Sequence, residues 1–172
     1  MSITLKIKGL DAAVKQANKL AKTARIETQA ALDTFGFSVE GTAKQLAPAN
    51  EGRLRNAISA KRGNLSASVV AATNYAAYME FGTRKYAAQY VATLPQEWQQ
   101  FAAQFKGDGT GSFADMIKSL MVWVKQRGLD DDAAYPIALK ILREGVRARP
   151  FLYPAVNANL KQLKEDLNNV IN

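Results

Sequence analysis

A helical period runs without interruption from Leu10 to about Ala47, and no other feature constrains this chain as strongly. Leu10, Ala13, Val14, Ala17, Leu20, Ala21, Ala24, Thr28, Ala31, Leu32, Phe35, Val39, Ala43 and Leu46 recur at steps of three and four, the spacing that lines one face of an α-helix. Lys15, Lys19, Lys22 and Arg25 hold much of the opposite face. Pro48 ends the run, because proline has no amide hydrogen to continue the ladder and its ring clashes with the preceding turn. One helix of that length spans about 57 Å at ~1.5 Å per residue. Gly36 and Gly41 each cost roughly 1 kcal/mol relative to alanine, so a bend is expected near them. The stripe is mostly alanine at first and bulkier later, and small residues let a helix lie close to a sheet or another helix.

The segments around this helix read differently. Ile3, Leu5 and Ile7 alternate with Thr4, Lys6 and Lys8, the period of a strand over residues 2–8. Residues 52–57 suggest a short helical turn. Two strands follow, about 56–62 and 65–72, joined at Gly63-Asn64, two residue types that tolerate positive φ. Asn74 is placed to cap a short helix over 75–81 that Gly82 closes. Residues 87–147 form a mainly helical insertion. Within it lie a loop at 106–112, a helix from Phe113 ending at Gly128, and a second helix opened by Asp130, Asp131 and Asp132 and stopped by Gly145. After Pro150 comes a last helix, about 153–170, with Val156, Leu160, Leu163, Leu167 and Val170 as a narrow seam. The expected fold is α+β: a small, mostly antiparallel sheet packed by a long N-terminal helix and a C-terminal helix, in one domain over residues 1–172 that carries the insertion.

Composition removes whole classes of chemistry. The chain has 172 residues and neither cysteine nor histidine. Disulfides, thiolate metal sites, histidine ligands and every Ser-His or Cys-His nucleophile pair are therefore excluded. The Asp130-Asp131-Asp132 run lacks the spaced oxygen ligands of a calcium loop, and GDGTGS (107–112) lacks the Lys-Ser/Thr of a phosphate loop. No metal, cofactor or catalytic residue is expected. The N-terminus has no signal-peptide core, and no apolar run is long enough to cross a membrane.

The net charge of +8 suits nucleic acid or acidic protein surfaces. Its basic residues gather at Arg53, Arg55, Lys61 and Arg62, at Arg84 and Lys85, and at Arg143, Arg147 and Arg149. They suggest contact with DNA phosphates or with another subunit; a solvated face is the simpler reading. No helix-turn-helix or zinc finger accompanies them. Tyr75, Tyr78 and Phe81 recur at three-residue spacing and read as core. Glu80 lies among apolar residues and needs a partner, for which Arg84 or Arg149 is suited.

Two segments carry more than composition does. NYAAYMEFGTRK (74–85) and ARPFLYPAV (148–156) together resemble the tail-component family of tailed double-stranded DNA bacteriophages, also described as tail-completion or neck proteins. The matching positions are Tyr75, Ala76, Tyr78, Met79, Glu80, Phe81, Gly82 and Thr83, then Pro150, Phe151, Leu152, Pro154 and Ala155. EGRLRNAIS (51–59) is similar to a third family segment, with Glu51 where threonine is usual and Ala57 where serine is usual. The resemblance implies a virion structural protein without catalytic residues, assembled in the host cytoplasm. It implies a six-fold ring that meets the tail tube protein and the head-tail connector and passes DNA through its lumen without reading its sequence. A basic DNA-binding protein without sequence specificity is the alternative from another class.

Overall fold

The computed structural model describes residues 10–48, 52–105 and 112–171, with side chains over 14–48, 52–105 and 112–170. The strand expected at 2–8, Glu51, and all but Ser112 of the 106–112 loop lie outside these residues. Eight helices and two strands follow in order: α1 (Leu10–Leu46), α2 (Arg53–Asn56), β1 (Ile58–Gly63), β2 (Ser66–Ala71), α3 (Ala76–Phe81), α4 (Arg84–Val91), α5 (Gln96–Ala103), α6 (Phe113–Gln126), α7 (Ala134–Glu144) and α8 (Leu152–Ile171). A short 3-10 turn, Asp131–Ala133, precedes α7. The architecture is α+β, with one two-stranded antiparallel sheet among the described residues. The chain forms two compact units. The first comprises residues 1–46, 55–71 and 152–172, and the second comprises 47–54 and 72–151.

The first unit is built on α1, which runs through Gly36 and Gly41 as one helix of 37 residues. The expected bend is replaced by a seat for the hairpin. A Cβ added at Gly36 would lie 3.2 Å from the Ala67 Cβ and 3.7 Å from the Ala60 Cβ. Glycine here lets both strands approach the helix backbone, which offsets its helix-propensity cost.

Polar groups on α1 then fix where the hairpin sits along it. Arg25 donates to Asn64 Oδ1 at 2.7 Å, and Gln29 Oε1 accepts the Leu65 N–H at 2.7 Å. Asp33 pairs with Arg62 at 3.2 Å. Glu40 Oε2 accepts the Ala60 N–H at 2.6 Å. The Lys44 ammonium and this N–H both hold the Glu40 carboxyl below its ordinary range.

The turn lies one residue later than Gly63-Asn64. Gly63 pairs with Ser66 as the last rung of the ladder, and Asn64 and Leu65 make the turn. Leu65 takes a φ of 48°, a costly position for a leucine. Its N–H bond to the buried Gln29 holds it there.

α8 packs along α1. Its seam residues Val156, Leu160, Leu163, Leu167 and Val170 are each half-buried, and Ala155 is fully buried. Asn159 donates to Thr42 at 3.2 Å. The seam stays half-buried eleven residues beyond Asn159, whereas α1 ends four residues beyond Thr42. α8 therefore runs back antiparallel to α1 and covers its second half. Residues 14–23 of α1 are all exposed, including Val14 and Leu20, which the period placed on the apolar face. That half of the stripe has no cover among the described residues.

The two helix glycines give opposite expectations. Gly36→Val should lower the unfolding free energy by about 1–3 kcal/mol, because its branched side chain must displace Ala67 and the hairpin. Gly41 has no atom within 4 Å of an added Cβ, so Gly41→Ala should raise stability by about 0.5–1 kcal/mol. Urea titration followed by far-UV circular dichroism measures both.

Candidate functional site

The first family-like motif and the opening residues of the second, 148–151, meet in the second unit, and the meeting is made largely of main chain. α3 presents Glu80 inward, and its Oε2 accepts the Phe151 N–H at 2.8 Å. Both residues are buried. Arg149 enters through its backbone, donating its N–H to the Met79 carbonyl at 2.7 Å. Thr83 and Val146 exchange two bonds: the Thr83 N–H to the Val146 carbonyl at 2.9 Å, and the Val146 N–H to Thr83 Oγ1 at 2.7 Å. Across the two motifs Glu80 thus accepts the Phe151 amide, where the sequence suggested Arg84 or Arg149 as its partner.

Two glycines make this approach possible. Gly82 has a φ of 76°, and a Cβ there would lie 2.8 Å from the Val146 carbonyl and 2.9 Å from the Ala148 nitrogen. Gly145 has a φ of 91°, and its Cβ would overlap the Thr83 carbonyl. Gly82 closes α3 as expected, but Asn74 does not cap it. The N-cap is Tyr75, without a side-chain bond.

The aromatic content of this unit differs from the expected set. Phe81 and Phe151 are buried, whereas Tyr78 is 39% exposed and Tyr75 is half-buried. Tyr78 is therefore corrected from core to surface. Phe81 packs instead against Trp98, Phe101 and Phe105, with ring centroids 6.4, 6.1 and 6.1 Å away. The last three stand at the i, i+3, i+7 spacing of a helix face, a signal present in the sequence but unused. Of the other motif residues, Thr83, Pro150, Leu152 and Pro154 are half-buried.

The basic residues do not form one face. Arg62 pairs with Asp33 in the first unit, where Arg55 is exposed. In the second unit Lys85 pairs with Glu144 at 3.2 Å, and Arg143 lies 3.5 Å from the same carboxylate. Arg147 stacks over Tyr86 at 5.2 Å. Arg84 is exposed and takes a φ of 52° as α4 begins. Arg53, Arg127 and Arg149 line a concavity of about 480 Å³ together with Tyr75, Met79 and Trp123. Arg127 lies 4.7 Å over the Trp123 ring. Arg127 and Arg149 bring positive charge to this hollow beside apolar and aromatic groups, which suits an anionic group on an apolar body.

The acidic run at 130–132 leads into the 3-10 turn and then α7, with Asp131 paired to Lys125 at 3.2 Å. Among the described residues no cluster of acidic side chains is arranged to hold a metal ion, and no helix is long and apolar enough to cross a membrane.

Residues 11–82, fewer than half of the 172, match the family model described as "Bacteriophage HK97-gp10, putative tail-component". The match covers nearly all of α1, the hairpin and the first motif up to Gly82. The second motif, at 148–156, lies beyond it. No curated protein and no solved structure matches the chain. The resemblance drawn from the motifs is thereby shown over a segment that takes in the first of them as far as Gly82.

Two measurements check this site. Glu80→Leu leaves the buried Phe151 N–H without its acceptor and should cost about 1–3 kcal/mol. The chain's two tryptophans, Trp98 and Trp123, both lie in the second unit, so their fluorescence in a denaturant titration reads the loss there. The Glu144 carboxyl is held at about 2, below its ordinary 4.5, first by the Tyr86 hydroxyl and then by Lys85. A depressed carboxyl pKa stabilises the fold above the unfolded value and loses that effect as pH falls. Stability from this contact should therefore be complete above pH 4.5 and disappear toward pH 2. Carboxyl-detected NMR should place the Glu144 midpoint near 2, and Tyr86→Phe should move it toward 4.5.

Proposed function

We propose that this protein is a non-enzymatic structural subunit of a tailed-phage virion, a ring-forming component of the neck that completes the tail and joins it to the head. The single observation that carries the reading is the tail-component match over residues 11–82. A phage tail component is a part of the virion, so the virion is its place of action and the host cytoplasm its place of assembly.

The finer reading follows from how such a joint must work. Identical subunits joined head to tail close into a ring when the rotation between them allows it. A six-fold ring would match a tail tube and stop its growth. Its other face would meet the head connector, and DNA would pass through the hole. The hollow lined by Arg127, Arg149, Tyr75 and Trp123 offers cationic and aromatic groups to an acidic neighbour. Several of the remaining basic residues are engaged with carboxylates or a tyrosine ring. This favours a protein interface over a bare DNA-binding face.

Electron microscopy of the purified protein and of intact particles tests the proposal. The expected result is a closed ring at the head-proximal end of the tail, and unjoined heads and tails in particles made without the protein. Particles that are complete and infectious without it would overturn the assignment.

A further inference from the structure

The two edges of the two-stranded sheet differ: β1 has an outward backbone group bonded to α1, and β2 has none among the described residues. Ala60 gives its N–H to Glu40 rather than to β2. Ala60 and Val69 therefore face each other as a non-hydrogen-bonded pair. By alternation Ile58–Ala71 and Arg62–Ala67 are non-bonded pairs as well. On β1 these outward positions lie against α1, where Glu40 takes one N–H and Asp33 holds Arg62. On β2 the outward backbone groups belong to Ala67, Val69 and Ala71, and none is hydrogen-bonded among the described residues. Edge strands are ordinarily guarded by charges, prolines or bulges. β2, Ser-Ala-Ser-Val-Val-Ala, has no charge and no proline, and its register with β1 is unbroken. Such an edge is suited to receive another strand.

The chain has one segment of matching length and pattern outside the described residues. Residues 2–8 alternate Ile3, Leu5 and Ile7 with Thr4, Lys6 and Lys8. While α1 is helical from Leu10, that segment is too short to pair along β2 of its own copy. The hairpin tip meets α1 at Arg25 and Gln29, and the strands run from there toward Glu40. α1 begins at Leu10, about 28 Å before Gln29 at ~1.5 Å per residue. The eight residues from Ser2 to Gly9, fully extended, span about 26 Å at ~3.3 Å each. They fall short of the near end of β2 and have no length left with which to pair along it.

We infer that residues 2–8 of one copy add as a third strand to the β2 edge of a second copy, with the uncovered first half of α1 as the arm that carries them across. The apolar set would extend the sheet face that holds Ala67, Val69 and Ala71, and the lysines would extend the face that holds Ser66 and Ser68. Each copy gives one strand and offers one edge. Two copies can exchange strands reciprocally, or each can pass its strand to the next copy in a head-to-tail contact, the kind that builds rings or open chains. The inference rests on the reading of this chain as a self-assembling subunit and names the surface that joins its copies.

Val69→Pro tests it in the full chain. Proline removes an outward N–H that plays no part in the β1–β2 ladder, so the hairpin keeps its bonds. Light scattering should show association weakened at least tenfold. A cross-link keeps the test independent of that variant's folding, because the chain has no cysteine of its own. Thr4→Cys, Lys6→Cys and Lys8→Cys proteins are each mixed with a differently tagged Ser68→Cys protein and oxidised. A disulfide-linked heterodimer is expected for at least one of the three. A ring that survives Val69→Pro and yields no heterodimer overturns the strand exchange and leaves the neck reading standing. A protein that is monomeric at every concentration overturns both.

Discussion

The second unit depends on a clasp of backbone bonds between two stretches more than sixty residues apart. The Thr83–Val146 pair, the Arg149 N–H on Met79 and the Phe151 N–H on Glu80 bring α3 against the strand-like run before α8. Everything from α4 to α7 is a loop closed by that contact. Closing a chain of this length costs entropy that grows only slowly with length. A few buried bonds, with Phe81 and Phe151 packed nearby, therefore hold a sizeable helical excursion. The clasp works at main-chain distance, which explains why its members are an acid, a threonine and two glycines rather than large apolar residues. Glu80 is buried with the Phe151 amide as a donor, and the threonine bonds at both its backbone and its hydroxyl.

The first unit depends on α1 in a different way. Its second half is a template with contacts at positions 25, 29, 33 and 40, each meeting a defined atom of the hairpin. Another flank of the same stretch meets α8 through the Thr42–Asn159 bond, and Ala155 of α8 is fully buried. Few side chains are completely buried here, and the small ones among them allow close approach. Position is set by polar groups and proximity by small residues, so neither effect alone would seat the hairpin.

Much of this was legible in the sequence, and the misses have physical causes. The long helix, the hairpin, the helix closed by Gly82 and the last helix follow from periodicity and from breakers, which act locally. The turn slipped by one residue because Leu65 adopts a conformation its own preferences oppose, and the force that holds it there comes from Gln29, thirty-six residues away. Gly36 suggested a bend for the same reason: its value is the space it leaves for Ala67, which a propensity cannot register. Tyr78 was placed in the core because a three-residue step does not distinguish the two flanks of a short helix. The partners of Phe81, Trp98, Phe101 and Phe105, carry a clear helical period, but a period marks an apolar face without saying which ring that face meets. The hollow beside Trp123 joins residues from 48 to 149 and has no local signature at all.

The uncovered first half of α1 also affects motion. Residues 14–23 are all exposed, and among the described residues they are held chiefly by their own helical hydrogen bonds. A helical stretch of about ten residues without tertiary cover is marginal in water and exchanges with coil on a microsecond scale or faster. The second half of the same helix opens only when the hairpin and α8 come away from it. One continuous element therefore contains two protection regimes, and its amide protons should exchange with solvent at rates that change sharply near Ala24, where burial begins.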